Sequence, residues 1–187
     1  KLKALLDEAE ERAYAIVTGK NPDLPETERR EIARIVGVGA VQYADLCQNR
    51  SSNYVFSWDK MLSFDGNTGP YLQYTHARMS GIFRKAAESG IATTAKPGDL
   101  QLLAADEEWA LVQKLRGFSP AVRRAAEQRE PFEVAHYLHD LASVFNAFYN
   151  RHVVLAEPAP ARSRARLALV GSPRAALARP LTPPGIR

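Results

Sequence analysis

The sequence predicts an all-α fold, and three observations support this prediction. Apolar residues recur at helical spacing in several segments, most regularly between residues 134 and 148. Capping residues, prolines and glycines stand where these segments begin and end. No segment of useful length alternates apolar and polar residues as a half-buried strand would. With 187 residues, 45% of them apolar, the chain can bury one ordinary globular core, so we expect a helical bundle.

Two helices are predicted in the first 50 residues. The first covers residues 1–18 and is followed by a glycine and an Asn-Pro turn. The second runs from residue 26 to about residue 49, and its apolar side chains lie on two faces, which predicts burial on two sides. Gly37 and Gly39 lie inside this second helix and lower its intrinsic stability. We interpret them as positions where another element approaches closely.

A structured connection and a well-marked helix follow. Residues 51–66 lack helical periodicity and are predicted to be an irregular, partly extended connection. Thr68 is a candidate N-cap, and Pro70 suits the first turn of a helix that continues to about Glu88.

Three more helices are predicted after a loop at residues 89–105. They cover residues 106–116, 119–129 and 131–151, and the last of them has the most regular pattern. Its apolar stripe consists of Val134, Tyr137, Leu138, Leu141, Val144, Phe145 and Phe148.

The sequence divides into a helical domain, residues 1–155, and an Arg/Pro-rich tail, residues 156–187. Half of the twelve prolines lie beyond residue 150, and Gly171 and Pro173 interrupt the segment with the most helical composition. We therefore expect the tail to be poorly ordered, with at most one irregular helix.

Positive charge is also concentrated at the C-terminal end. The formal net charge is +4, yet seven of the 25 basic residues and only one of the 21 acidic residues lie beyond residue 150. Residues 1–150 thus carry 18 basic and 20 acidic side chains. An RNA site in this part must be a local surface feature.

One such feature lies on the helix after Pro70. Tyr71, Tyr74, Arg78 and Lys85 share a flank that is separate from the core stripe of that helix. Aromatic rings interleaved with cations suit an unstacked RNA loop, because every base has a π-face and every nucleotide a phosphate. The alternative is that the tyrosines pack against a neighbouring helix with exposed hydroxyls.

Other chemistry is predicted to be absent. His136, His139 and Asp140 could begin a metal site, but they lack further ligands and fit the exposed face of an amphipathic helix. Cys47 is the single cysteine, so the chain has no disulfide framework, and this favours a cytoplasmic protein. We expect Cys47 to be buried and inert. Nothing combines a nucleophile, a base and an oxyanion donor. We expect no catalysis, cofactor or metal in this chain, and no membrane partner because no apolar run reaches about 20 residues.

Three motifs resemble arginyl-tRNA synthetases. They are SWDKMLSF at residues 57–64, GNTGPYLQYTHAR at residues 66–78, and the segment REPFEVAHYLHDLASVFNAFYN at residues 129–150. The resemblance covers most of residues 1–155. It implies a helical bundle of the class I synthetase anticodon-binding type, with residues 1–25 connecting it to a preceding catalytic domain.

The resemblance also implies a function. Enzymes of this family join ATP and arginine and transfer arginine to the terminal adenosine of their tRNA. Their HIGH-like and KMSKS-like motifs are missing from this chain, so ATP and Mg²⁺ are expected only at the catalytic domain. The implied partners are the anticodon arm of arginine tRNA and that catalytic domain. Two alternatives remain, namely a free-standing helical RNA-binding paralogue and a truncated non-catalytic product.

The matching motifs assign roles to individual residues. The resemblance implies a backbone-supported pocket at the turn, base stacking by three tyrosines, and phosphate pairing by one arginine. The pocket residues are Asn67, Thr68, Gly69 and Pro70, the stacking residues are Tyr71, Tyr74 and Tyr137, and the phosphate-binding residue is Arg78.

Overall fold

The computed structural model describes residues 1–155 and 159–181, with side chains described as far as residue 178. These residues form eight α-helices and one 3-10 turn, and no strand occurs among them. The all-α prediction is confirmed. The helices are α1 (Leu2–Lys20), α2 (Glu26–Leu46), α3 (Trp58–Met61), α4 (Gly69–Glu88), α5 (Asp106–Arg116), α6 (Phe118–Gln128), α7 (Phe132–Arg151) and α8 (Pro160–Leu181), with the 3-10 turn at Asp99–Leu102.

Helices α1 and α2 form an antiparallel pair in which small residues allow the backbones to touch. A Cβ atom built on Gly37 would lie 2.5 Å from the carbonyl oxygen of Ala9 in α1. On the other side of α2, a Cβ atom on Gly69 would lie 2.8 Å from the carbonyl oxygen of Gly39. The expectation of close approach at the two α2 glycines is therefore confirmed, and α2 lies between α1 and α4.

Helix α4 begins as the sequence predicts. The Thr68 side chain accepts a hydrogen bond from the backbone N–H of Tyr71, with 3.2 Å between donor and acceptor. Pro70 occupies the first turn, where its missing N–H is no loss. The cap thus fixes the direction in which α4 leaves the preceding turn.

The main core lies between α4, α7 and α8. Its fully buried apolar side chains come from all three helices, with contributions from α5. They include Leu72, Met79, Leu111, Leu141, Phe145, Phe148, Leu167 and Leu177. The stripe predicted on residues 134–148 therefore does face the core.

The one helix considered for the tail is present, and over residues 160–181 it is more regular than expected. They form the single continuous helix α8, and its residues Leu167, Val170 and Leu177 are fully buried. Burial of this apolar face outweighs the cost of the internal proline and glycine. Gly171 packs against Phe83 of α4, since a Cβ atom there would meet the ring at 3.6 Å. The rest of the predicted tail, residues 156–158 and 182–187, lies outside the described residues.

Three smaller expectations also differ from the structure. The predicted connection at residues 51–66 contains α3, which begins with the Ser57 side chain accepting a hydrogen bond from the Lys60 N–H. Helix α2 ends three residues early. Leu46, one of the apolar side chains that the two-faced pattern of this helix predicts to be buried, is half exposed.

No helix of the described part is long and apolar enough to cross a membrane.

Candidate nucleic-acid interface

The turn at residues 67–70 leads into α4 and lies against α2 and α7. Thr68, Gly69 and Pro70 are buried, whereas Asn67 is exposed. The Tyr43 hydroxyl of α2 lies 2.6 Å from the Asn67 side-chain oxygen, to which it donates, and 3.1 Å from a carbonyl oxygen of α7. The turn is therefore held rigidly, but its buried residues offer little side-chain surface to a ligand.

A cleft of about 500 Å³ opens beside this turn. Its walls are the C-terminal end of α2, the segment before α3 and the turn itself. The lining includes Tyr43, Cys47, Tyr54, Lys60, Asn67 and Gly69. The cleft therefore lies beside three of the four turn residues, Asn67, Thr68 and Gly69.

Two residues of the cleft lining, Tyr43 and Cys47, have raised pKa values. Burial raises the pKa of the Tyr43 hydroxyl, and Cys47 and Asp140 raise it further. Burial likewise raises the pKa of the Cys47 thiol. Cys47 is a free, buried cysteine, as the sequence predicts.

The most distinctive surface cluster is formed by Tyr74, Arg78 and Tyr149. The Arg78 guanidinium carbon lies 4.8 Å from the centre of the Tyr74 ring and 5.1 Å from that of the Tyr149 ring. Tyr74 is 49% exposed and Tyr149 is 37% exposed. The cluster therefore presents a cation between two partly exposed aromatic rings. The Phe145 ring stacks on Tyr149 at 5.8 Å, and the Phe64 ring meets Tyr74 edge-on at 6.1 Å. Tyr74 is thus the more open of the two rings.

Arg78 is further fixed by hydrogen bonds. Its Nη1 donates to the Asn146 side-chain oxygen at 2.6 Å, and its Nη2 donates to the Tyr74 hydroxyl at 3.2 Å. Asn146 also donates to the Tyr71 hydroxyl at 3.0 Å. Tyr71 is half-buried at this α4–α7 contact, so it supports the cluster and exposes less of its ring than Tyr74 does.

Tyr137 is not brought to the other predicted site residues. It is only 7% exposed, and its hydroxyl donates to the Lys114 carbonyl oxygen at 2.8 Å. The Lys114 ammonium lies 5.2 Å from the ring centre, and the Phe118 ring packs at 5.6 Å. Burial raises the pKa of Tyr137 to about 12. The ring has no open face for a base, which argues against the stacking role implied by the resemblance.

The cations near this cluster lack the ion pairs that many cations of α1 and α2 form. On α1 and α2, arginines and lysines form short ion pairs, namely Lys3 with Asp7, Arg12 with Glu8, Arg30 with Glu11, and Arg34 with Glu31. Among the described residues, no carboxylate lies within 4.0 Å of the charged groups of Arg78, Arg84 or Lys85 on α4. Their positive charge is available to an anionic ligand.

No metal site competes with this interpretation in the described part of the chain, where no group of three His, Cys, Asp or Glu side chains is placed to hold an ion. His139 packs against the Tyr71 ring at 5.6 Å, and the Asp140 carboxylate pairs with Lys114 at 2.8 Å. The sequence interpretation of these residues as polar groups on a helix is consistent with this placement.

The sequence did not predict Tyr149 as a member of the cluster, nor Asn146 as the hydrogen-bond partner of Arg78. Tyr149 and Asn146 are on α7, about 70 positions away from Arg78 in the chain. Tyr149 lies outside the apolar stripe of α7, and its aromatic side chain beside the core residue Phe148 was the only available signal. Nothing in the pattern indicates which α4 residue it would meet.

Two family models match this chain. The family model of the DALR anticodon binding domain matches residues 72–187, and that of the class I (R) tRNA synthetase catalytic domain matches residues 1–58. The arginine–tRNA ligases of Azotobacter vinelandii and Pseudomonas syringae are each 46% identical over 169 residues, which is 90% of this chain and 28% of each relative. The chain spans less than a third of their length.

Two solved structures are also similar. The arginyl-tRNA synthetase of Thermus thermophilus superposes with a TM-score of 0.84 at 38% identity, covering 97% of this chain and 30% of that protein. The arginyl-tRNA synthetase of Plasmodium falciparum gives a TM-score of 0.80 at 28% identity, covering 95% and 31%. The helical arrangement described above is therefore shared with both.

Proposed function

Because the chain belongs to the family of DALR anticodon-binding domains, we propose that it binds the anticodon arm of an arginine tRNA. The observation that carries this proposal is the position of Arg78 between the exposed rings of Tyr74 and Tyr149. An anticodon loop offers unstacked bases and phosphates close together, which is what two rings and one cation can bind.

Stacking and charge would act together in this interface. A base stacked on the exposed part of the Tyr74 ring would contribute about 1–3 kcal/mol. Arg78 can pair with a phosphate, since no carboxylate of the described residues neutralises it. Arg84 and Lys85, further along α4, extend the positive surface. The cleft beside Asn67 provides a second recess for the same loop.

The larger role that we propose is in arginine–tRNA ligation. The domain would hold the tRNA while a catalytic domain of the same enzyme attaches arginine with the use of ATP. ATP and Mg²⁺ would act at that catalytic domain, and no residue of this chain is assigned to them. We place this activity in the cytoplasm, where tRNA charging supplies protein synthesis.

Competition binding tests the proposal. The chain is titrated with a fluorescent anticodon stem–loop of an arginine tRNA, and unlabelled stem–loops of arginine and unrelated tRNAs are added as competitors. We expect the arginine stem–loop to compete best and Tyr74→Ala to weaken binding by roughly fivefold or more. Trp109→Ala is the matched control, because Trp109 is an exposed aromatic residue on α5. Equal competition by all stem–loops, together with no effect of Tyr74→Ala, would refute the specific interface.

A further inference from the structure

Asn146 uses every polar atom of its side chain at the α4–α7 contact. Its oxygen accepts from Arg78 Nη1 at 2.6 Å. Its nitrogen donates to the Tyr71 hydroxyl at 3.0 Å and to the Thr75 hydroxyl at 3.1 Å. One side chain on α7 therefore holds three side chains on successive turns of α4.

The direction of these hydrogen bonds fixes the orientation of the amide. Arg78 can only donate, so the Asn146 oxygen must face it and the nitrogen must face the two hydroxyls. The Tyr71 hydroxyl can then donate to Ser143, 3.4 Å away, while the Ser143 hydroxyl donates to the His139 carbonyl oxygen at 3.0 Å. Each of these polar groups thus has a hydrogen-bond partner. None of the partners of Arg78 is charged.

Two well-held arginines on α8 are anchored by carboxylates. Arg164 donates to Asp99 at 2.8 Å, and Arg166 donates to Glu108 at 2.7 Å. A carboxylate at position 146 could hold Arg78 equally well, but it would neutralise the guanidinium. An amide accepts the same hydrogen bond and leaves the positive charge uncompensated.

We propose that Asn146 is a positioning residue of the RNA-binding surface, which holds the Arg78 guanidinium between the two tyrosine rings while leaving its charge free for a phosphate. This inference rests on the proposed function. It concerns a residue that touches no RNA itself and acts through Arg78.

The test compares Asn146→Asp with the wild-type chain in binding the anticodon stem–loop of an arginine tRNA across a range of salt concentrations. The substitution is isosteric, and the hydroxyls of Tyr71 and Thr75 can turn to donate to the new carboxylate. We expect affinity to fall roughly fivefold to tenfold at about 0.1 M salt, and the slope of log affinity against log salt to lose about 0.7–0.9, the value of one phosphate contact. The melting temperature is expected to stay close to that of the wild-type chain.

Two controls separate this role from a general effect of charge or stability. Asn150→Asp adds the same charge to the exposed surface of α7, one turn further on, and is expected to change the salt slope less. In an Arg78→Ala background, Asn146→Asp is expected to leave the slope almost unchanged, because the cation that it would neutralise is gone.

The outcomes distinguish the two proposals. If the wild-type chain binds the stem–loop but Asn146→Asp and Asn150→Asp behave alike, the role of Asn146 is refuted and the proposed function stands. A lower melting temperature with an unchanged salt slope would also refute it, because that result indicates a structural role only. If the wild-type chain does not bind the stem–loop, both proposals fail.

Discussion

Arg166 of α8 donates a hydrogen bond of 2.7 Å to Glu108 of α5, whose side chain is only 2% exposed. Glu108 also accepts from the backbone N–H of Ala105 at 3.0 Å and so caps the start of α5. The Glu108 side chain therefore both attaches α8 to the domain and caps the start of α5. A second pair, Arg164 with Asp99, attaches α8 to the 3-10 turn.

Glu108→Ala is expected to destabilise the domain by roughly 3 kcal/mol, because it leaves the Arg166 charge poorly paired in a buried place. Chemical denaturation monitored by circular dichroism measures the change. The control is Asp7→Ala, which breaks the exposed Lys3–Asp7 pair of 2.6 Å and should cost less than about 1 kcal/mol. If the two variants lose similar amounts of unfolding free energy, the Glu108–Arg166 pair contributes no more to stability than an exposed surface pair does.

The domain is expected to lose stability in acid. The hydrogen bonds of Glu107 with His152 and Arg151 lower its pKa to about 2, and the hydrogen bond from Arg164 lowers the pKa of Asp99. A carboxylate with a depressed pKa stabilises the fold above its unfolded pKa, and this contribution disappears as the pH falls through the folded value. The melting temperature should therefore stay level down to about pH 5 and fall between roughly pH 4.5 and 2.

Glu107→Gln is the control for this pH dependence. It removes one titrating group and should flatten the fall in melting temperature at low pH. A melting temperature that stays constant from pH 5 to pH 2 would contradict the assignment of these carboxylates to the attachment of the C-terminal helices.

Gly37→Ala should separate α1 from α2. The new Cβ would lie 2.5 Å from the Ala9 carbonyl oxygen, and the backbone shift that this requires should cost about 1–3 kcal/mol. Gly81→Ala is the matched control, since the nearest atom, in the flexible Arg84 side chain, lies at 3.9 Å. That substitution should instead stabilise α4 by about 0.5–1 kcal/mol. If urea titration shows both variants to be more stable than the wild-type chain, the close contact between α1 and α2 is disproved.

Arg129→Gly is expected to stabilise the domain. Arg129 ends α6 with φ of 56° and ψ of 40°, a left-handed conformation that costs a residue with a side chain about 1 kcal/mol. Arg123→Gly, the same substitution inside α6, should destabilise by about 1 kcal/mol. Thermal unfolding of the two variants should therefore shift in opposite directions. A lower melting temperature for Arg129→Gly would contradict this account of the helix end.

The sequence was sufficient to predict the helices whose ends carry local signals. Helix α4 starts at a Thr cap followed by proline, and α7 has a regular apolar stripe. Helix α8 was not predictable in this way. Its arginines resemble a solvated face, but Arg164 and Arg166 pair with acids on distant segments. The proline at position 173 is tolerated because tertiary packing supplies what local propensity lacks.

The candidate site was predictable on one helix only. The spacing of Tyr74 and Arg78 places them one turn apart on α4, and the structure confirms their contact. Their α7 neighbours Asn146 and Tyr149 depend on how two helices pack, which no local pattern specifies. For Tyr137, the resemblance implied a ring that stacks on a base, whereas the structure buries this ring in the core.

The most direct test of the RNA interface compares two arginines, each of which lies over a tyrosine. Arg78 lies 4.8 Å from the Tyr74 ring without a carboxylate partner, whereas Arg30 lies 3.7 Å from the Tyr14 ring and pairs with Glu11 at 2.8 Å. Both are replaced by alanine, and the affinity for the anticodon stem–loop of an arginine tRNA is measured as a function of salt.

We expect Arg78→Ala to bind roughly tenfold more weakly at about 0.1 M salt and to lose about 0.7–0.9 from the salt slope, while Arg30→Ala binds like the wild-type chain. If the two variants bind with equal affinity and equal salt dependence, the α4–α7 cluster is not the RNA-binding surface.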